Sequence, residues 1–282
     1  MRSLTCSPGW VQRAFNLLLL LVLTAMSTGL LGLASARSVA AAPATQNQQA
    51  VRTVNLELIL DLSGSMARDI GGGETRMEAA KRVMNDVIDA LPEREGVNVG
   101  FRIYGHLGNN TEAGRAVSCQ SSDLVVPIQG VNKPALRDQV AAAQPIGWTP
   151  IALSLQRAGG DFQAGEGVAN HILLVTDGEE TCGGDPCAVA ESLRTGDANV
   201  TTHVVGFALN EEQARLVSCI AERGLTSPSK PALVVARTSN SSRLNARCTQ
   251  PGEHVRERIV SPLQVHVCVC ARLLAQVSNT RV

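Results

Sequence analysis

Residues 54–66 read Val-Asn-Leu-Glu-Leu-Ile-Leu-Asp-Leu-Ser-Gly-Ser-Met, and the fold can be worked out from this stretch. Apolar and polar residues alternate from Val54 to Glu57, and then Leu58, Ile59 and Leu60 run together. Alternation is the period of a strand with one covered face. An unbroken apolar run needs both faces covered, as in a parallel sheet with helices on either side. The strand reading covers Val54 to Leu62 and stops at an acid, two serines and a glycine.

Working outward, the same alternation of short apolar runs with amphipathic stretches continues to about residue 223. Arg76 to Leu91 reads as a helix, with Met77, Ala80, Val83, Met84, Val87 and Ile88 at helical spacing. Strands are expected at Val97 to Tyr104, Leu124 to Ile128, His171 to Thr176 and Val200 to Ala208, with a last one at Pro231 to Ala236. Helices are expected at Asn132 to Ala143, Thr149 to Gly159, Pro186 to Leu193 and Glu211 to Glu222. The order, mostly strand then helix, predicts an α/β domain over residues 54–236: a Rossmann-like, doubly wound, mostly parallel sheet flanked by helices. Ligands of such sheets bind beyond the carboxyl ends of the strands, where the strand order reverses.

Two strand ends carry hard oxygen donors. The first is Asp61-Leu62-Ser63-Gly64-Ser65, and the other is Thr176-Asp177-Gly178-Glu179-Glu180. Serines at i and i+2 across a glycine turn can face one point, and carboxylates from neighbouring strand ends approach the same point. Gly147-Trp148-Thr149-Pro150 adds a further hydroxyl between two expected helices. Asp61, Ser63 and Ser65 would alone serve equally well as a cap and turn residues. Glu179 and Glu180 read as a solvated rim, His106 as a satisfied polar residue, and Trp148 as either an exposed anchor or packing. No Walker A sequence is present, and Gly71-Gly72-Gly73 lacks the Gly-x-Gly-x-x-Gly frame.

At these positions the sequence resembles the von Willebrand factor type A domain with its metal-ion-dependent adhesion site. The family pattern is Asp-x-Ser-x-Ser, a distant Thr and a distant Asp; here it falls on Asp61, Ser63 and Ser65, then Thr149, then Asp177. Tyr-Gly-His at residues 104–106 and Asp-Gly-Glu-Glu-Thr-Cys at 177–182 are similar to a bacterial exported subgroup. The resemblance implies Mg2+, with Mn2+ or Ca2+ as alternatives, held by Ser63, Ser65 and Thr149, with Asp61 and Asp177 acting directly or through water. It implies a protein partner that offers an Asp or Glu carboxylate, and binding rather than catalysis. Two other readings use the same residues: a metal-assisted hydrolase with Glu179, Glu180 or His106 as base, and a structural ion without a partner.

The rest of the chain bears on location. Residues 1–53 carry four arginines and no acid; residues 54–223 carry 13 basic and 23 acidic side chains, and residues 224–282 carry 8 and 2. The acidic middle repels nucleic-acid phosphates, and aromatics at 2% leave little for stacking on bases. Arg2 and Arg13 precede an apolar run from Leu17 to Leu33 and small-residue sites at 34–36 and 42–44, so residues 1–36 read as a signal peptide or N-terminal anchor. Residues 37–53 then form a linker, and the domain is extracytoplasmic: secreted, periplasmic or anchored to the outer face of the cytoplasmic membrane, with no other membrane contact. Of eight cysteines, Cys6 lies in the leader. The remaining seven match no common zinc spacing and fit disulfides in an oxidising compartment, with Cys182 to Cys187 as the first expected bridge and Cys119 to Cys219 as the next. Residues 237–282 read as an irregular basic tail, disordered or misread through a shift of reading frame after residue 224.

Overall fold

The computed structural model describes residues 53–224, 233–238 and 244–248. The leader, the linker apart from Thr53, and most of the basic tail lie outside those residues. Strands β1 (Thr53–Asp61), β2 (Val97–Tyr104), β3 (Ser122–Gly130), β4 (Val168–Thr176), β5 (Val200–Phe207), β6 (Leu233–Thr238) and β7 (Leu244–Cys248) form one sheet in the order β3-β2-β1-β4-β5-β6-β7. β1 pairs in parallel with both β2 and β4, and β4–β5 and β5–β6 are parallel too. Only the outer pairs, β2–β3 and β6–β7, are antiparallel.

Six α-helices lie among the described residues: α1 (Arg76–Ala90), α2 (Glu112–Ser118), α3 (Lys133–Ala142), α4 (Ile151–Gly159), α5 (Pro186–Thr195) and α6 (Glu211–Arg223). The pleat of β1 explains how they are laid out. Leu56, Leu58 and Leu60 pack with Met84 and Ile88 of α1 and Leu136 of α3. Ile59 joins the other layer, with Leu155 of α4, Ala190 of α5 and Ile220 of α6. Glu57 and Asp61 alternate with those leucines, so they share the face of Ile59. Helix α1 starts at a capping box, Thr75 accepting from the Glu78 amide while the Glu78 carboxylate accepts from the Thr75 amide, and stops before Pro92.

Several elements differ from expectation. β3 is longer than Leu124 to Ile128 and runs antiparallel at the sheet edge, where Pro127 removes no needed ladder donor. Helix α2 was not expected, because Glu-Ala-Gly-Arg-Ala-Val-Ser has no apolar stripe; its buried residues are Gly114 and Ser118. Helix α4 begins at Ile151 instead of Thr149, with Pro150 at the cap, and this leaves Thr149 in the loop. β6 starts after Pro231 and runs on to Thr238, and β7 lies within the span read as tail.

The expected Cys182 to Cys187 and Cys119 to Cys219 bridges are not formed. Instead Cys119 pairs with Cys182 and Cys187 with Cys219, at Cα separations of 5.5 and 5.7 Å. Asp185 caps α5, which places Cys187 in the first helical turn, packed in the layer it shares with α6. Cys182 precedes Gly183-Gly184 and meets the end of α2. Among the described residues no helix is long and apolar enough to cross a membrane.

Candidate metal centre

The chain moves outward from β1 through β2 to β3, then returns to β4 on the other side of β1. The strand order therefore reverses between β1 and β4, and their carboxyl ends flank the crevice. Asp61 is the last residue of β1 and Asp177 follows the last residue of β4; both are fully buried. Asp61 Oδ1 accepts the Ser63 amide at 2.7 Å, and Oδ2 accepts the Thr176 hydroxyl at 2.7 Å. That hydroxyl in turn accepts from Tyr104 at 3.2 Å and from the Gly178 amide at 3.0 Å. With one donation and two acceptances its capacity is full, so its proton points at Asp61.

The hydroxyls come together from two loops. After Ser63 the chain makes a 3-10 turn, Gly64–Ala67, which sets Ser63 Oγ and Ser65 Oγ 3.0 Å apart. The loop before α4 runs alongside: Gly64 N–H donates to Gly147 O at 2.8 Å, and Ile146 N–H to Leu62 O at 2.7 Å. This close approach depends on glycine. Gly105, at φ +69°, would place a Cβ 2.5 Å from the Trp148 carbonyl oxygen, and a Cβ on Gly147 would lie 2.1 Å from Ser118 Oγ. Thr149 is then fixed by Thr181, whose hydroxyl accepts the Thr149 amide at 2.8 Å while its own amide donates to the Thr149 carbonyl at 3.1 Å. Ser63, Ser65 and Thr149 thereby line one cleft of about 280 Å³, with Arg68, Trp148 and Glu179 also on its walls.

Behind the hydroxyls the charges do not balance. Burial, and then the negative charge of Asp177, push the Asp61 carboxyl up to about 6. Arg76 Nη1 donates to Asp177 Oδ2 at 2.5 Å, but Asp177 Oδ1 and Arg76 Nε are buried without a partner. Of the two buried carboxylates only Asp177 meets a guanidinium, and one of its oxygens is unsatisfied. Three neutral hydroxyls over a pair of carboxylates suit a small hard divalent cation, which takes oxygen ligands in octahedral array. Among the described residues no group of three or more His, Cys, Asp or Glu side chains is placed to hold an ion, so a cation here depends on the hydroxyls.

The structure also settles the roles of the neighbours. Glu180 accepts the amides of Ala152 at 2.9 Å and Cys182 at 2.8 Å, which ties its loop to α4, while Glu179 is exposed on the cleft wall. His106 Nε2 lies 2.8 Å from Asp123 Oδ2. Trp148 is half-buried: its ring nitrogen donates to the Thr111 carbonyl at 3.0 Å, and the Arg115 guanidinium stacks 4.6 Å from the ring centre. Sequence reasoning gave no role to Arg76 or Thr181, and it grouped Thr176 with the strand-end oxygen donors without its bond to Asp61. Arg76 did leave a signal, a basic residue at the first helical position, where the helix dipole favours an anion.

A family model, von Willebrand factor type A domain, matches residues 55–232. The chain belongs to this family. Two Bacillus subtilis proteins are similar to this chain: uncharacterized protein YwmC is 35% identical over 201 residues, 71% of this chain and 85% of that protein, and uncharacterized protein YwmD is 32% identical over 183 residues, 64% and 79%. Among solved structures, the pilus adhesin SpaC of Lactobacillus rhamnosus GG superposes with a TM-score of 0.53 at 15% identity, covering 83% of this chain and 31% of that one. The SpRpn10 VWA domain superposes with a TM-score of 0.50 at 14% identity, covering 68% and 91%. At these identities the likeness is one of fold. The VWA sheet is the one that sets Asp61 beside Asp177.

Proposed function

We propose that this VWA domain is an exported, divalent-metal-dependent protein-binding module whose crevice is a metal-ion-dependent adhesion site. The observation that carries the reading is the cleft in which Ser63, Ser65 and Thr149 meet beside two buried carboxylates, one with an oxygen left over. In this reading the three hydroxyls hold Mg2+, or Mn2+ or Ca2+, and Asp61 and Asp177 supply charge directly or through water. A cation with few direct carboxylates stays electrophilic, which offers a position to an Asp or Glu carboxylate of a protein partner. Thr176 and Tyr104 orient Asp61, and Arg76 offsets part of the acid charge so that the site folds before it is loaded.

Binding is favoured over bond-breaking by what the candidate bases do. Glu180 is committed to two amides and His106 faces Asp123, which leaves Glu179 as the one acid on the cleft wall among the three. Export is supported by the two disulfides, which persist in oxidising compartments, and agrees with the leader read at residues 1–36. The test is calorimetric titration of the chelator-stripped protein with Mg2+, Mn2+ and Ca2+, alongside Asp61→Ala. Saturable binding that disappears in the variant is expected; undiminished binding by Asp61→Ala would place the ion elsewhere.

A further inference from the structure

The Cys119–Cys182 disulfide joins two residues whose immediate neighbours hold the backbone of Trp148 and Thr149. On one side Ser118, the last residue of α2, accepts the Trp148 amide on its Oγ at 2.6 Å. On the other side Thr181 makes the reciprocal pair with Thr149, at 2.8 and 3.1 Å. Ser118 precedes Cys119, and Thr181 precedes Cys182. The two sides are also linked directly, since Arg115 of α2 donates to the Thr181 carbonyl at 3.0 Å while its guanidinium covers the Trp148 ring. Ser118 itself is anchored, its carbonyl accepting the Ser121 hydroxyl at 2.7 Å. Trp148 and Thr149 therefore sit in a clasp of two jaws, and the disulfide is the pin between them.

From this geometry we infer that the Cys119–Cys182 disulfide, acting through Ser118 and Thr181, is a positioning element of the metal site that fixes Thr149 against Ser63 and Ser65. The inference rests on the metal-site reading above. The loop needs such a device, because it has no regular secondary structure of its own and its contacts to the serine turn are backbone bonds at Leu62, Gly64, Ile146 and Gly147. Without the pin, α2 is a short helix whose buried residues are Gly114 and Ser118, with little apolar area to hold the Ser118 jaw in place. The other disulfide offers a matched control. Cys187–Cys219 closes a shorter loop and staples α5 to α6, and among the described residues its neighbours make no hydrogen bond to residues 146–149.

The experiment compares the full-length protein with Cys119→Ser/Cys182→Ser and with Cys187→Ser/Cys219→Ser, reading Mg2+ affinity by calorimetry and amide exchange at Trp148 and Thr149 by NMR. Both variants lose thermal stability. The first alone is expected to bind Mg2+ about tenfold more weakly, the range lost when outer-shell supports of metal ligands are removed, and to exchange those two amides faster. Thr181→Val and Thr181→Ser repeat the test with the disulfide intact; the first lacks the acceptor for the Thr149 amide and should weaken Mg2+, and the second should restore it. Equal Mg2+ affinity in all variants, or an equal fall in both disulfide variants, overturns the positioning role. No Mg2+ binding by the unaltered protein is a different result: it removes the metal-site reading first and this inference with it.

Discussion

Two buried clusters in this domain contain the same groups, two carboxylates and one guanidinium, yet they are built differently. Glu57 and Asp61 lie on one face of β1, four residues and roughly 13 Å apart. Around Glu57 the arginine is fully used: Arg102 donates from Nε to Glu57 at 2.6 Å, from Nη1 to the Ser122 carbonyl and hydroxyl at 3.2 Å, and from Nη2 to Asp161. At the strand end, Arg76 reaches Asp177 and, at 3.5 Å, the Ala208 carbonyl, while Asp61 has no cation. Each cluster leaves one carboxylate oxygen without a partner, Glu57 Oε2 and Asp177 Oδ1. Only the second is next to a cleft lined with hydroxyls. In the mid-strand cluster both carboxylates bond the one guanidinium, whereas at the strand end only Asp177 does, which leaves Asp61 without a cation where the sheet opens.

The comparison breaks most visibly if the two arginines are exchanged for alanine in turn. Arg102→Ala should cost about 3–5 kcal/mol, the usual loss when one partner of a buried pair is removed and its charge is left behind. Arg76→Ala should destabilise the metal-free protein as well, since it leaves Asp61 and Asp177 facing each other. The two should part when Mg2+ is added: a cation at the strand ends replaces the missing charge and recovers the Arg76 variant, and it does nothing for the Arg102 variant. Urea unfolding with and without Mg2+ gives both numbers. Recovery of both variants, or of neither, would mean that the clusters are electrostatically alike.

A smaller effect separates them by pH. Burial, which outweighs Arg102, pushes the Glu57 carboxyl up to about 7, while Asp161 also faces the shared guanidinium. A group raised above its unfolded value contributes stability below that value, and the contribution is lost as pH rises through the folded one. His171 and His203 run the other way: burial lowers them to about 4 and about 3, so their contribution is present above pH 6.5 and is lost as pH falls. Between pH 5 and 7 the two trends oppose each other and flatten the profile. In Glu57→Gln the broken pair with Arg102 is a constant offset, but the stability of the variant relative to the unaltered protein should rise by about 2 kcal/mol from pH 5 to pH 7. A difference that does not change with pH would show that Glu57 is ionised throughout.

How much of this was legible in the sequence follows from how far each interaction reaches. The layers and the parallel order were readable because Leu58-Ile59-Leu60 and the helical stripe from Met77 to Ile88 are local patterns. The candidate set drew on oxygen donors at two strand ends and, for Thr149 between two helices, on the family resemblance; the structure places Ser63, Ser65 and Thr149 around one cleft, with Asp61 and Asp177 buried behind them. Arg76 left only the signal of a basic residue where the helix dipole favours an anion, which does not name its partner 101 residues away. Disulfide pairing failed for a similar reason: sequence proximity favoured Cys182 with Cys187, but Cys187 packs in the layer it shares with α6 and pairs there with Cys219, while Cys182 pairs with Cys119. Helix α2 has no apolar period to read, although it carries one jaw of the clasp on Thr149.

The smallest effect tests how strictly the strand-end cluster is oriented. Tyr104→Phe removes the donor that, with the Gly178 amide, fills the acceptor sites of the Thr176 hydroxyl. The lost bond should cost about 1 kcal/mol, as buried neutral hydrogen bonds do. Thr176 still has the Gly178 amide, so its proton remains biased toward Asp61, and Mg2+ affinity should fall by less than the roughly tenfold expected for an outer-shell support. Tyr104 packs with Ile59 and Leu174 in the same layer, and the substitution keeps that ring, so a change in affinity reports the hydroxyl alone. A loss as complete as that of Asp61→Ala would mean that the orientation of Asp61 depends on a chain of hydrogen bonds three residues deep, and that the strand-end cluster is as tightly determined as the mid-strand one.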